Sequence, residues 1–315
     1  MIRIGINPNL VDTPLLISWH GFLTFVSVAV AVTLIVRWAR REEIDSDTIY
    51  AVAVWAVIGG IIGARLVHVI DRWDYYGQNP GQILAVWRGG IGLWGAILFG
   101  FAGGAAYVWG RQLLGRIYAG QTMQWFKRLA PDRIGEGYLK GHMYAKFKDV
   151  SVGRLADLTA PALLITQSIG RIGDIINGEH FAERTSLPWG FIYNHPTTIR
   201  LYDFQGMSSF LPTHPVAVYE IIWNMLVLGF IWTLRGRLAP PGMLFAVYLL
   251  LYALGRFFIQ FLRLDRVWFG GLQEAHIIAL IVLAITVIVL ASKARWIKKV
   301  PASTARRGRQ ARARR

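Results

Sequence analysis

Ten residues at the end of one long apolar run carry an arginine, two carboxylates and an amide: Gly170-Arg171-Ile172-Gly173-Asp174-Ile175-Ile176-Asn177-Gly178-Glu179. Charged groups at the edge of hydrocarbon are costly, so they mark a place where they are used. An arginine there can take a phosphate through paired N–H donors. Asp174 follows Arg171 at i+3, within reach of an ion pair, so simple neutralisation and ligand binding both stay open. Asp157 precedes Arg171 by 14 positions, nearly four helical turns, and falls on the same face. Further along, Arg256, Gln260 and Arg263 at i, i+4 and i+7 predict one stripe on a helix. Two cations on an otherwise uncharged helix need anions, supplied by neighbouring acids or by a phosphate. Arg263 alone also fits a side chain reaching for the membrane surface, whereas Arg256 lies deeper. In His214-Pro215-Val216-Ala217-Val218-Tyr219-Glu220, Pro215 suits the start of a helix and places Tyr219 and Glu220 one turn inside it. His20 stands early in the first apolar run, and Arg65 and His68 near the end of the second. Together these residues could bind a phosphate-bearing lipid headgroup and do chemistry on it.

The elements that must position them are membrane helices. Of 315 residues, 54% are hydrophobic and only 17% charged, too apolar for an ordinary soluble domain. Crossing a bilayer takes about 20 apolar residues. Seven runs qualify: Leu15–Val36, Thr48–Ile70, Gly90–Trp109, Leu155–Ile176, Val216–Leu234, Gly242–Phe261 and Ala275–Ala291. The third is rich in glycine, which lets membrane helices approach closely, and the fourth carries Asp157, Gln167 and Arg171. The first run is too long, and lacks a following small-residue cleavage site, to read as a signal peptide. The expected fold is all-α: one polytopic domain over 1–300.

Net charge is +16, and its distribution speaks of topology rather than nucleic acid. Basic residues gather in alternate connections: Arg37, Arg40 and Arg41; nine between Arg111 and Arg154; Arg235 and Arg237; ten from Lys293 to Arg315. Cytoplasmic loops keep Lys and Arg, so the N-terminus is expected outside and the C-terminus in the cytoplasm. Residues 110–153 read as a cytoplasmic insert, in which Gln121–Leu129 could form a surface amphipathic helix. Residues 177–214 read as the longest outer-face loop, whose aromatics favour packing, and 301–315 as a basic disordered tail. The absence of cysteine excludes disulfides and cysteine nucleophiles. No nucleotide-binding loop and no convincing metal-ligand spacing occurs, so neither a cofactor nor a metal is expected.

Taken in order, these residues resemble the prolipoprotein diacylglyceryl transferase family of bacterial membrane enzymes. The most specific match is Gly170–Glu179 followed by Pro188-Trp189-Gly190. His214–Glu220 resembles the family's His-Pro-x-x-x-Tyr-Glu element, and Gly255-Arg256 through Arg263 its arginine-bearing later helix. Gly63-Ala64-Arg65 and Gly89-Gly90 resemble earlier elements. The resemblance implies transfer of a diacylglyceryl group from phosphatidylglycerol to the lipobox cysteine thiol of a lipoprotein signal peptide, releasing glycerol phosphate. It implies a multi-pass protein of the bacterial plasma (inner) membrane whose partners are phosphatidylglycerol, those signal peptides and membrane lipids. It further implies that Arg171 and Arg256 hold the lipid phosphate, with Asp174, Asn177, Glu220, Arg263, His214 and Arg65 lining the substrate site. Glu179 and Tyr219 would orient groups or relay protons. The chain departs from the family pattern at five positions. Trp94 stands where the family has a third-span histidine, His20 where it has tyrosine and Asp174 where it has asparagine. Ala182 replaces a glycine and Gln260 an acid. Tryptophan cannot be a base, so His20 is the candidate imidazole. A phospholipid-binding relative without catalysis, a transferase with another acceptor and a transporter are the alternatives; no internal repeat of the kind transporters carry is visible.

Overall fold

The computed structural model describes residues 1–11, 17–85, 93–119, 150–178 and 180–298. Helices dominate: α1 (Trp19–Arg41), α2 (Ser46–Asp71), α3 (Leu93–Ala119), α4 (Val152–Asn177), α5 (Pro196–Phe204), α6 (Val216–Leu234), α7 (Met243–Gln260) and α8 (Glu274–Lys293). Among the described residues, strands are no longer than three residues and form two-stranded sheets. Among the described helices, α1, α2, α6, α7 and α8 are long and apolar enough to cross a membrane. Their flanks expose large apolar side chains such as Phe25, Ile62, Leu226 and Ile288, which suits contact with lipid rather than water. The remaining long helices, α3 and α4, coincide with the Gly-rich run and with the run carrying Asp157, Gln167 and Arg171.

The chain forms two compact units, Val32–Leu155 on the one hand and Met1–Ala31 with Ala156–Arg315 on the other. In the first unit α2 and α3 pack backbone to backbone. A Cβ on Gly103 would stand 2.6 Å from the Trp55 carbonyl oxygen, and one on Gly60 3.3 Å from that of Ala96. Small residues thus replace side-chain interdigitation, as is usual between helices in lipid. The same unit buries Arg65, whose Nε donates to the Ile83 carbonyl at 2.8 Å and Nη2 to the Gln82 carbonyl at 2.6 Å, with the guanidinium over the Tyr76 ring.

In the second unit Ala160 and Leu164 of α4 pack with Val227, Ile231 and Leu234 of α6 and Leu244 and Tyr248 of α7. Asp157 caps the far helix: its carboxylate accepts from the amides of Gly242 at 2.8 Å and Phe245 at 2.9 Å, groups that the first turn of α7 leaves without helical partners. It therefore serves the start of α7, not the Arg171 site its spacing suggested. Between α4 and α6 the segment from 180 to 215 is packed. Phe191–Tyr193 runs parallel to Ile2–Ile4 and pairs with Thr213 on its other side, and Phe191, Tyr193 and Tyr202 form a small aromatic core with Ile4. Burial pushes the Tyr202 hydroxyl up to about 12, so this core stays uncharged at neutral pH.

Candidate functional site

Five helix ends meet in the second unit: the start of α1, the end of α4, the start of α6, the end of α7 and the start of α8. Each brings polar side chains to one place, because each end is where an apolar run gives way.

Helix α4 delivers Arg171 and Asp174 in its last two turns. It stops at Asn177 because Gly178 takes φ +69° and donates its amide to the Asp174 carbonyl at 2.9 Å. A side chain there would be doubly excluded, since a Cβ would stand 2.7 Å from Thr198 Cγ2 and 2.8 Å from Tyr193 Cε1. Glu179 lies outside the described residues.

Asp174 is 4% exposed and central. Its Oδ2 meets Arg171 Nη1 at 2.5 Å and His180 Nε2 at 3.1 Å; its Oδ1 meets His20 Nδ1 at 2.8 Å. Glu220, one turn into α6, is also buried and joins two arginines. Its Oε2 pairs with Arg171 Nε and its Oε1 with Arg256 Nη1 at 2.7 Å. Glu220 thus supplies the anion that Arg256 needed, and the guanidiniums of Arg171 and Arg256 converge on one carboxylate.

Arg263 corrects two expectations. Helix α7 ends at Gln260, so Arg263 lies in the following turn and not on a helical stripe with Arg256. Nor does it reach for the membrane surface: it is 6% exposed. Backbone pairing explains this. Ala182 bridges Arg263, Glu183 N donates to the Leu262 carbonyl at 2.9 Å and Leu264 N to that of Phe181 at 3.1 Å. Those bonds lay His180 beside Arg263, whose Nη2 donates to His180 Nδ1 at 3.1 Å while its Nε donates to Asp265 Oδ2 at 2.9 Å. Gln260 donates to the same Asp265 oxygen at 2.7 Å and also to the Gln273 side-chain oxygen. Gln273 closes the set by donating to the Arg263 carbonyl at 2.7 Å and by capping α8 reciprocally with His276. Burial works to raise the Asp265 pKa, but the hydrogen bond and charge of Arg263 and the bond from Gln260 outweigh it, so the carboxyl sits below its usual range.

Tyr219 stands at the rim. Its hydroxyl accepts from Trp189 Nε1 at 3.0 Å and lies 3.2 Å from His214 Nδ1. A small cavity lined by Asp174, His180, Tyr193, Thr213 and His214 opens beside it. The Asn177 Oδ1 atom is buried and lacks a hydrogen-bond partner among the described residues.

The structure therefore brings together His20, Arg171, Asp174, Glu220, Arg256 and Arg263, with Tyr219 and His214 paired nearby. Arg65 belongs to the other unit and is held there by carbonyl oxygens. Trp94 falls in the first turn of α3. Sequence reasoning passed over His180, Asp265 and Gln273. His180 directly follows the Gly170–Glu179 stretch and Asp265 follows Arg263 by two, so nearness to a motif was the available signal. Gln273 had only its position before an apolar run.

Three arginines face three acids here, giving a balanced, largely buried ionic lattice. Such a lattice can accept a phosphate by exchanging a carboxylate contact for a phosphate contact, and it can stabilise charge growing on a phosphate oxygen.

A sequence model of the family described as prolipoprotein diacylglyceryl transferase matches residues 8–127 and 135–292. The phosphatidylglycerol–prolipoprotein diacylglyceryl transferase of Trichormus variabilis is 34% identical over 280 residues, 87% of this chain and 84% of that protein. The protein of the same name from Synechococcus elongatus is 33% identical over 288 residues, 89% of this chain and 85% of its own length. That from Limosilactobacillus reuteri is 29% identical over 292 residues, 92% of each chain.

Proposed function

The chain belongs to the prolipoprotein diacylglyceryl transferase family, and we propose that it transfers the diacylglyceryl group of phosphatidylglycerol to the lipobox cysteine thiol of prolipoproteins. This is the first step of bacterial lipoprotein maturation. The observation that carries the proposal is the convergence of Arg171 and Arg256 on Glu220 at the meeting point of the helix ends.

The lipid phosphate takes its place at the Arg171–Arg256 pair. The thiol sulfur attacks the glycerol carbon bonded to the phosphate oxygen, the carbon–oxygen bond breaks, and its electron pair stays on the departing glycerol phosphate. Guanidinium groups in a site of low water content stabilise that charge as it develops. Glu220 holds the two arginines at a fixed separation, and Arg263, fixed by Asp265 and Gln273, adds positive potential behind them. Asn177, His214 and Tyr219 contact the glycerol hydroxyls of the headgroup, and Glu179 and His20 handle the proton.

The protein spans the bacterial inner membrane seven times, its N-terminus outside and its C-terminus in the cytoplasm. Seven long helices, the basic connections between alternate pairs of them and the shared end at which α1 and α6 begin and α4 and α7 finish all support this. It sets the site at the outer leaflet, where lipid and an exported thiol meet. The membrane region covers 1–300, the insert 110–153 faces the cytoplasm and 301–315 is a basic tail.

The test is release of labelled glycerol phosphate from phosphatidylglycerol vesicles in the presence of a lipobox peptide. Release that requires the peptide cysteine is expected. Lipid binding without release would replace the transferase with a lipid-binding protein, and release with a serine-containing peptide would point to another acceptor.

A further inference from the structure

We infer that the hairpin between α7 and α8 is a membrane-interface anchor. It seats Trp268 and Phe269 among the headgroups and upper acyl chains of the leaflet at whose level the arginine site lies. This interaction goes beyond the transfer reaction and does not depend on it.

The hairpin is short and apolar. Val267–Phe269 pairs antiparallel with Leu272–Gln273 around Gly270 and Gly271, whose φ of +57° and +79° suit a tight two-residue turn. The register shifts between Val267 and Phe269, so Trp268 has no residue opposite it. From Arg266 to Leu272 the sequence holds one cation and no acid. Trp268 is 63% exposed and Phe269 80%, and a Cβ on either glycine would meet nothing. A two-stranded hairpin gains little from its own pairing in water. Two large apolar side chains at its tip call for an apolar surrounding.

Lipid is the surrounding that the connections favour. Both ends of the hairpin lead into helices long and apolar enough to cross a membrane. Phe258 is exposed on α7, and Phe261 and Leu264 are exposed on the way to the hairpin. Apolar exposure thus continues along the chain from the lipid-facing flank of α7 to Phe269. A strand advances about 3.4 Å per residue, so three residues carry the tip roughly 10 Å from its base. That keeps it near the layer where α7 ends. Tryptophan favours this layer, since its ring is apolar and its N–H can reach water or headgroups. Arg266, exposed beside it, suits anionic headgroups.

The base of the hairpin is fixed to the site. Gln273 is buried, donates to the Arg263 carbonyl at 2.7 Å and accepts from Gln260. Its amide donates to His276 Nδ1 at 3.2 Å, and the His276 ring packs against Phe257 and Phe261. A rigid base and an exposed apolar tip let the hairpin fix the level of Arg263 relative to the bilayer.

The chain has no cysteine, so one introduced thiol can be labelled alone. Phe269→Cys, carrying an environment-sensitive fluorophore, is placed in nanodiscs of phosphatidylcholine and phosphatidylglycerol, which leave both faces open to solutes. A lipid with a nitroxide high on its acyl chain should remove most of the emission, and iodide in the water little of it. Trp268→Cys should behave alike. Adding Phe269→Glu to the Trp268→Cys protein should reverse the order, iodide quenching more than lipid, as the tip lifts out. Strong iodide quenching without lipid quenching at both single positions would put the tip in water and overturn the anchor. Protection from both quenchers would mean that protein covers the tip, and would overturn it equally. Insertion is read without turnover, so its failure would leave the transferase function standing.

Discussion

Glu220→Gln isolates the central ion-pair bridge. The carboxylate is buried and its two cations, Arg171 and Arg256, are 19% and 21% exposed. Glutamine keeps the volume but offers one acceptor oxygen and one NH2 group, so one guanidinium faces a donor. Breaking a buried ion pair from one side typically costs about 3–5 kcal/mol, because a charge is left without compensation. Here Arg171 keeps Asp174 and both guanidiniums touch the surface, which sets the expectation near the lower end, about 3 kcal/mol. That corresponds to roughly a 100-fold shift in the unfolding equilibrium. Detergent-driven unfolding in bicelles, followed by tryptophan fluorescence, reads it directly. A second arm follows from the vacated charge. Glycerol phosphate should stabilise the variant by about 2.7 kcal/mol at a hundredfold excess over the variant's dissociation constant, and the unaltered protein by less at the same concentration. A loss below about 1 kcal/mol, without any added anion dependence, would refute the assignment of Glu220 as the group that holds these arginines.

Gly178→Ala should lower stability by about 1–3 kcal/mol, because the backbone needs φ +69° and the new methyl meets Thr198 and Tyr193; thermal unfolding in detergent checks it. Asp157→Ala should cost about 0.5–2 kcal/mol through the lost cap of α7, with faster amide exchange at Gly242 and Phe245 and not elsewhere in that helix. Asp265 has a folded pKa below its unfolded value of about 3.9, so its contribution is present above that value and is lost as pH falls through the folded pKa. Asp265→Asn should therefore flatten the stability profile below about pH 4 and leave its slope between pH 6 and 8 unchanged, as pH-dependent unfolding midpoints would show.

Much of this architecture is legible in one dimension. Long apolar runs give helices because in hydrocarbon a single segment can satisfy its own backbone only as a helix, and all seven runs contain long helices, with ends shifted by up to five residues except for the third, whose helix continues ten residues past Trp109 to Ala119. The stretch from Arg171 to Gly178 announced its chemistry, since charge beside a long apolar run needs a use. Arg256 and Glu220 were equally visible as single expensive residues. Their pairing was not, for they lie 36 positions apart and nothing in either helix names the other. His180 and Asp265 look like ordinary loop residues. Only the pairing of residues 181–183 with 262–264 turns them toward Arg263.

Sequence alone determined composition, span length, charge asymmetry and which residues are costly where they stand, because those depend on local chemistry and on the solvent around each segment. Tertiary structure alone decided which carboxylate meets which arginine, that Asp157 caps a helix 85 positions away rather than serving Arg171, and that His20 lies against Asp174. Ion pairs and hydrogen bonds are set within a few ångströms, and a sequence carries no such distances until the helices have packed.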